Sequence, residues 1–264
     1  MILRRARILA ALWMACMVLL LAACGTTPPK DDLPTSSDLT ETQRRAQIRL
    51  QLAIGYYEQG QMTTALDEVK QSLQIDPTLA DAYTVRALIY MELMENRLAD
   101  ENFQQSLKLA PNNPDTANNY GWFLCQSGQP AQSIQWFEKA LSNRNYASPS
   151  KALNNAGNCS LKLKKMPEAE QYLTRAFQMD PSNPDVNLSL AKYWLARGET
   201  PRAQFYARRV IAADRLTADS LWTAIRIEHR AGDRLAEAGL ANQLRRRYPN
   251  SPEFSAYTRG AFDE

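Results

Sequence analysis

The sequence predicts an all-α fold, a right-handed superhelical solenoid of about six helix pairs. Three observations lead there. Prolines recur with a helical-repeat spacing, small residues recur at two fixed places in each period, and the helical pattern runs unbroken from about residue 44 to the end. Composition agrees: 45% hydrophobic and 22% charged residues permit a buried core and argue against wholesale disorder.

The repeat is read from Pro77, Pro111, Pro181 and Pro249, at intervals of 34, 70 and 68 residues. A period of 34 is the length of a tetratricopeptide repeat. With proline at position 32, six units follow: 46–79, 80–113, 114–147, 150–183, 184–217 and 218–251. The remaining residues would form a C-terminal cap. Position 8 is Ala53, Ala87, Gly121, Gly157, Ala191 and Ile225. Position 20 is Ala65, Ala99, Ser133, Ala169, Ala203 and Glu237. These sites are small because the two helices of a unit cross there. Tyr56, Tyr90, Leu124 and Trp194 at position 11 fill the gap between helices. Val69, Phe103, Phe137 and Leu173 stand at position 24, and Ser72, Ser106, Ala140 and Ala176 at position 27. Gly60, Gly128, Gly198 and Gly232 at position 15 suit a left-handed residue where the first helix ends. The last two units fit less well, with Arg215 in place of proline and Ile225 and Glu237 in place of small residues; terminal units of solenoids are often atypical.

Residues ahead of the array read as an export signal and tether. A basic start (Arg4, Arg5, Arg7) precedes an uncharged run, Ile8 to Ala23, shorter than the roughly 20 residues of a membrane anchor. Leu21-Ala22-Ala23-Cys24-Gly25 resembles the lipobox of bacterial lipoproteins. That resemblance implies cleavage after residue 23 and a covalent lipid on Cys24, the only prosthetic group expected. Glycine rather than aspartate after Cys24 suggests release to the outer membrane, on its periplasmic face. Residues 24–42, rich in Pro, Thr, Ser and Asp, read as a tether, leaving 43–264 for the solenoid.

Removal of the three signal arginines reduces the 31 Lys and Arg to 28, matching the 28 Asp and Glu. Neutrality gives no reason to expect a nucleic-acid partner and is compatible with a monomer. The single histidine, His229, lies on a polar stretch and is expected to be solvated. No zinc-spaced Cys/His cluster and no glycine-rich phosphate loop occurs in the sequence, so neither a metal, an enzyme activity nor a small-molecule substrate is expected.

A solenoid of this kind presents a concave face lined by positions 2, 5, 9, 12 and 13 of the first helices. The candidate groove residues are Leu50, Ile54 and Tyr57 in unit one, Leu88 and Met91 in unit two, Asn118 and Trp122 in unit three, and Asn154 and Asn158 in unit four. The apolar start suits an amphipathic partner helix; equally, Leu33 and Leu39 of the chain itself could cover it. Asn118 and Asn154 could hold a partner's backbone. Cys125 and Cys159 fall 34 residues apart on neighbouring first helices. An oxidising compartment favours a disulfide over two small buried thiols, although the two-residue insertion between their units leaves the register open.

The whole chain resembles the PilF/PilW family of type IV pilus biogenesis lipoproteins. The lipobox, the polar tether, the six repeats and the Cys pair carry the resemblance. So do the stretches TANNYGWFLCQSGQPAQSIQWFEKAL and ALNNAGNCSLKLKKMPEAEQYLTRAF. It implies a pilotin, which binds the pilus secretin and promotes its outer-membrane localisation and multimerisation. The alternative is a scaffold or regulator of peptidoglycan synthases or of the outer-membrane assembly machinery.

Overall fold

The computed structural model describes residues 39–213 and 216–263; the expected signal, Cys24 and most of the tether lie outside them. The chain divides into two compact units, residues 1–44 and 45–264. In the first, the described residues open a helix through a capping box. Gln43 N–H donates to Thr40 Oγ1 (3.2 Å), and Thr40 N–H donates to Gln43 Oε1 (3.0 Å). The helix therefore starts at Glu41, inside the stretch expected to be tether.

The described residues form thirteen helices and no strand. In chain order these are α1 (Glu41–Glu58), α2 (Met62–Ile75), α3 (Ala80–Glu92), α4 (Asn96–Leu109), α5 (Pro114–Gln126), α6 (Pro130–Ser142), α7 (Pro149–Lys162), α8 (Met166–Met179), α9 (Pro184–Ala196), α10 (Thr200–Ile211), α11 (Ala218–Ala231), α12 (Arg234–Arg247) and α13 (Pro252–Arg259). Odd and even helices up to α12 pair as first and second helices of six units. The first helices of units two to six pack beside one another, making an all-α solenoid.

Close approach within each pair rests on the small residues. Ala53, Ala65, Ala87, Ala99, Ala169, Ala191 and Ala203 are fully buried. A Cβ built on Gly121 would lie 2.8 Å from the Phe137 ring and 3.1 Å from the Ser133 carbonyl oxygen. One on Gly157 would lie 2.6 Å from Leu173 Cγ and Cδ2. In unit six Ile225 and Glu237 both bury. The Glu237 carboxylate is met there by Arg234 Nη1 (2.8 Å) and His229 Nδ1 (3.1 Å), which offset its desolvation.

Each first helix hands over to its second through a left-handed residue of the same kind of turn. Gly60, Gly128 and Gly198 take φ of 74°, 87° and 76°; in units two and four the position falls to Met94 (φ 61°) and Lys164 (φ 58°). Gly232, φ 77°, ends α11 in the same conformation. A side chain there costs about 1–2 kcal/mol in crowding against the carbonyl, partly recovered from the lower entropy of the unfolded non-glycine chain. Met94→Gly and Lys164→Gly should each stabilise the protein by roughly 0.5–1 kcal/mol, a rise of about 2–4 °C per kcal/mol for a domain of this size. Thermal melts of the single variants check this; a fall in Tm for both would show that the turns are not strained.

The core is not uniform. Leu50, Ala53, Ala65, Val69 and Leu73 form one cluster in unit one with Ala82 and Ile89 of unit two. Ala87, Phe103, Tyr120, Phe123 and Leu124 form another across units two and three. The largest runs from Leu153 in unit four through Leu190, Leu221 and Leu244, with Phe254, Tyr257 and Phe262 packed on it from the C-terminal end.

Polar bonds cross between units. Tyr120 donates to Asp100 (2.8 Å), Tyr172 to Glu138 (2.7 Å) and Tyr193 to Glu170 (2.7 Å). Burial, then the accepting carboxylate, pushes each phenol up to about 12. A raised phenol favours the folded state while it is neutral. This support is complete below the ordinary value near 10 and is lost as pH rises through the folded value. The urea midpoint should therefore fall more steeply between about pH 10 and 12 in the native chain than in a Tyr120→Phe/Tyr172→Phe/Tyr193→Phe variant. Parallel curves would refute it.

Candidate partner-binding groove

The first helices carry the residues expected to line the concave face, and position 5 does not behave as expected. Leu50, Thr84, Asn118 and Asn154 occupy it in units one to four, and all four are buried. Leu50 belongs to the unit-one core, so it is not a groove contact. Thr84 Oγ1 lies 2.8 Å from both Ser106 Oγ and Thr116 Oγ1. Asn118, 1% exposed, donates to Asn119 Oδ1 (3.3 Å) and accepts from Asn155 Nδ2 of the next unit (3.0 Å), so it is not free to hold a partner. Position 5 thus turns into the joint between adjacent first helices. A helix that packs on both a second helix and the next unit's first helix buries a wider stripe than an isolated pair.

The apolar start of the expected groove is also partly consumed. Ile54 and Tyr57 are half-buried against the unit-one cluster, and Leu88 and Met91 against the cluster around Phe103.

An open groove of about 980 Å³ lies further along, between α5 and α11. Trp122, Asn154 and Asn158 line it. Leu188, Ser189, Lys192 and Asp219 complete its far side, and these were absent from the sequence-based set. The signal was present: positions 5 and 9 of unit five are Leu188 and Lys192, and position 2 of unit six is Asp219. Asn158 Nδ2 donates to Ser189 Oγ (3.0 Å), whose own hydroxyl donates to the Asp185 carbonyl (3.0 Å). Lys192 Nζ meets Asp219 Oδ2 at 2.5 Å, tying α9 to α11. Asn183, at the N-terminus of α9, accepts from Asp185 N–H (2.9 Å) and Val186 N–H (3.3 Å), which holds that end of the helix on the groove's rim.

On the near side Cys125 and Cys159 are joined, with Sγ atoms 2.00 Å and Cα atoms 5.9 Å apart. The bond ties α5 to α7 one turn beyond Trp122 and beside Asn158. Lys162 Nζ reinforces the joint by donating to Gln126 Oε1 (2.7 Å).

Residues 80–113, 102–135 and 160–225 match models of the tetratricopeptide repeat. A crystal structure of PilW, described as a widely conserved type IV pilus biogenesis factor, is 32% identical. The alignment covers 81% of this chain and 98% of PilW, with a TM-score of 0.71. The chain belongs to the PilF/PilW family. The type IV pilus assembly protein PilF of Pseudomonas aeruginosa is 29% identical over 245 residues, covering 92% of this chain and 97% of PilF. A solved structure of Pseudomonas aeruginosa PilF superimposes with a TM-score of 0.70 at 28% identity, over 84% of this chain and 100% of the solved chain.

His229 differs from its expected solvated setting. Its ring stacks on Phe262 at 3.6 Å between centroids and faces Glu237, so it joins the C-terminal helix region to α11.

Proposed function

We propose that this PilF/PilW protein is a pilotin. In this reading Cys24 carries the lipid that holds it at the periplasmic face of the outer membrane, and the solenoid binds the pilus secretin and promotes its localisation and multimerisation. The observation that carries the reading is the 32% identity across 98% of PilW, a type IV pilus biogenesis factor. The groove between α5 and α11 supports it, because a solenoid uses extended concave surfaces to bind other chains. The reading is of a binding protein rather than an enzyme: His229, the one histidine, is committed to Glu237 and Phe262.

The test is a pull-down of the native lipoprotein from detergent-solubilised envelope, with Cys24→Ala alongside. Recovery of the secretin with the native protein, and mislocalised secretin with few multimers in Cys24→Ala cells, are expected. Normal secretin multimers in those cells would overturn the anchoring role. Recovery of a peptidoglycan synthase instead would overturn the choice of partner.

A further inference from the structure

We infer that a second binding site lies between α10 and α12, where a groove receives a lysine side chain of a protein partner and Glu228 pairs with its ammonium. The inference goes beyond the pilotin reading, and the site shares no residue with the α5–α11 groove. It begins from two breaks in the repeat that fall at one place. At position 23, units three to five carry Trp136, Tyr172 and Tyr206. Each reaches the second helix of the preceding unit. Trp136 packs on the cluster around Phe103, Tyr172 donates to Glu138 Oε1 (2.7 Å), and Tyr206 meets the Phe177 ring edge-on at 5.4 Å. Unit six has the shorter Leu240 there, and a groove of about 430 Å³ stays open between α10 and α12. At position 11, where units one, two, three and five have Tyr56, Tyr90, Leu124 and Trp194, unit six has Glu228, which lines that same groove.

The lining defines the occupant. Ala207, Ile211, Ala236 and Leu240 make the walls apolar. Glu228 is 6% exposed. One of its oxygens accepts from Gln204 Nε2 (2.7 Å); the other, which keeps contact with solvent, has no donor among the described residues. A buried carboxylate short of donors is a place where the fold gives up stability. Glu228 and Asp233 stand in the lining against one guanidinium, the exposed Arg208, so the charge favours a cation. A single free oxygen suits an ammonium, a compact point charge, better than the two-pronged guanidinium. The methylenes of a lysine stem match the apolar walls. Gly239 keeps the groove accessible: a Cβ built on it meets no atom within 4 Å, so no contact within the chain requires a poor helix former at this mid-helix position. The occupant is thus a lysine side chain on a partner segment, its stem against the walls and its ammonium on Glu228.

The probe is a random-peptide phage library panned on the full chain in detergent, with counter-selection on Gly239→Leu protein, whose added side chain obstructs the groove. The surviving peptides should share a lysine beside apolar residues. Their affinity, read by anisotropy, should fall roughly tenfold on Glu228→Gln, the size of one hydrogen bond to a charged group. Replacing the peptide's lysine by norleucine keeps the stem and removes the ammonium. This should cost as much on the native protein and nothing further on Glu228→Gln. Thermal melts separate a binding carboxylate from a structural one. Gly239→Leu should raise Tm, because leucine is the better helix former and meets open space, and Glu228→Gln should hold Tm level or raise it. Four results would overturn the inference: no peptide that separates native from Gly239→Leu protein, selected peptides without lysine, equal binding by Glu228→Gln, or a lower Tm for Glu228→Gln, which would make the carboxylate a structural partner of Gln204.

Discussion

Phe137→Ala is expected to destabilise the protein by about 3–5 kcal/mol, the usual cost of truncating a fully buried phenylalanine. Phe137 has no exposed surface and stands on α6 against the one place on α5 where a Cβ is missing. Its ring occupies the space beside Gly121, so glycine and phenylalanine are a matched pair. The cost should show a particular coupling. Gly121→Ala alone introduces a methyl 2.8 Å from the ring, and overpacking of this kind costs about 1–3 kcal/mol, less the gain of roughly 1 kcal/mol from a better helix former. In the double variant the methyl enters the space the ring vacated. The pair should therefore be less damaging than the sum of the singles by about 1 kcal/mol, within the range found for residues in contact. Urea denaturation of the four proteins closes the cycle, and strict additivity would show that Gly121 is small for some other reason.

Removing the disulfide is expected to cost about as much. Cys125 and Cys159 close a loop of 34 residues, worth about 3–4 kcal/mol in the chain-entropy model. Both side chains sit among Phe137 and Ala156, so serine at either site would add a buried-polar cost; Cys125→Ala/Cys159→Ala isolates the cross-link. The double alanine variant should melt lower without change in helix content, and reductant should lower the native protein's Tm by a similar amount. Intact mass without reductant should fall short of the dithiol by one pair of hydrogens. A native mass equal to the dithiol would remove the basis of this expectation. Beyond stability, the bond sets the spacing of α5 and α7 where Trp122 and Asn158 face the groove, so its loss should also weaken binding of the proposed partner there.

The pairing of helices was legible because its signals are local and periodic. Ala53 and Ala65, or Gly157 and Ala169, announce a close crossing by being small at a fixed spacing, and Gly60 announces a left-handed turn by its missing side chain. The groove was less legible. Leu50 and Asn118 share position 5 with Asn154, yet Leu50 is core, Asn118 is bonded across the joint and Asn154 has no partner. The difference lies in what stands at position 6 of the following unit, a relation between units that a single-unit pattern does not contain. The tyrosine–carboxylate bonds, such as Tyr193 to Glu170, were hidden for the same reason, because they depend on how far a side chain reaches across a packed interface. Glu237, conspicuous in sequence as a charge at a small-residue site, became intelligible only with Arg234 and His229 beside it.

The unequal cores bear on how the chain is made. Synthesis delivers the amino-terminal end first, so the clusters around Val69 and around Phe103 can close while later residues are still emerging. The largest cluster must wait. Its members extend from Leu153 to Leu244, and Phe254 and Phe262 lie against its outer edge. Half of the solenoid therefore stays an unfinished hydrophobic surface until almost the whole chain is free, and a premature stop near residue 250 would leave that surface permanently open to chaperones and proteases.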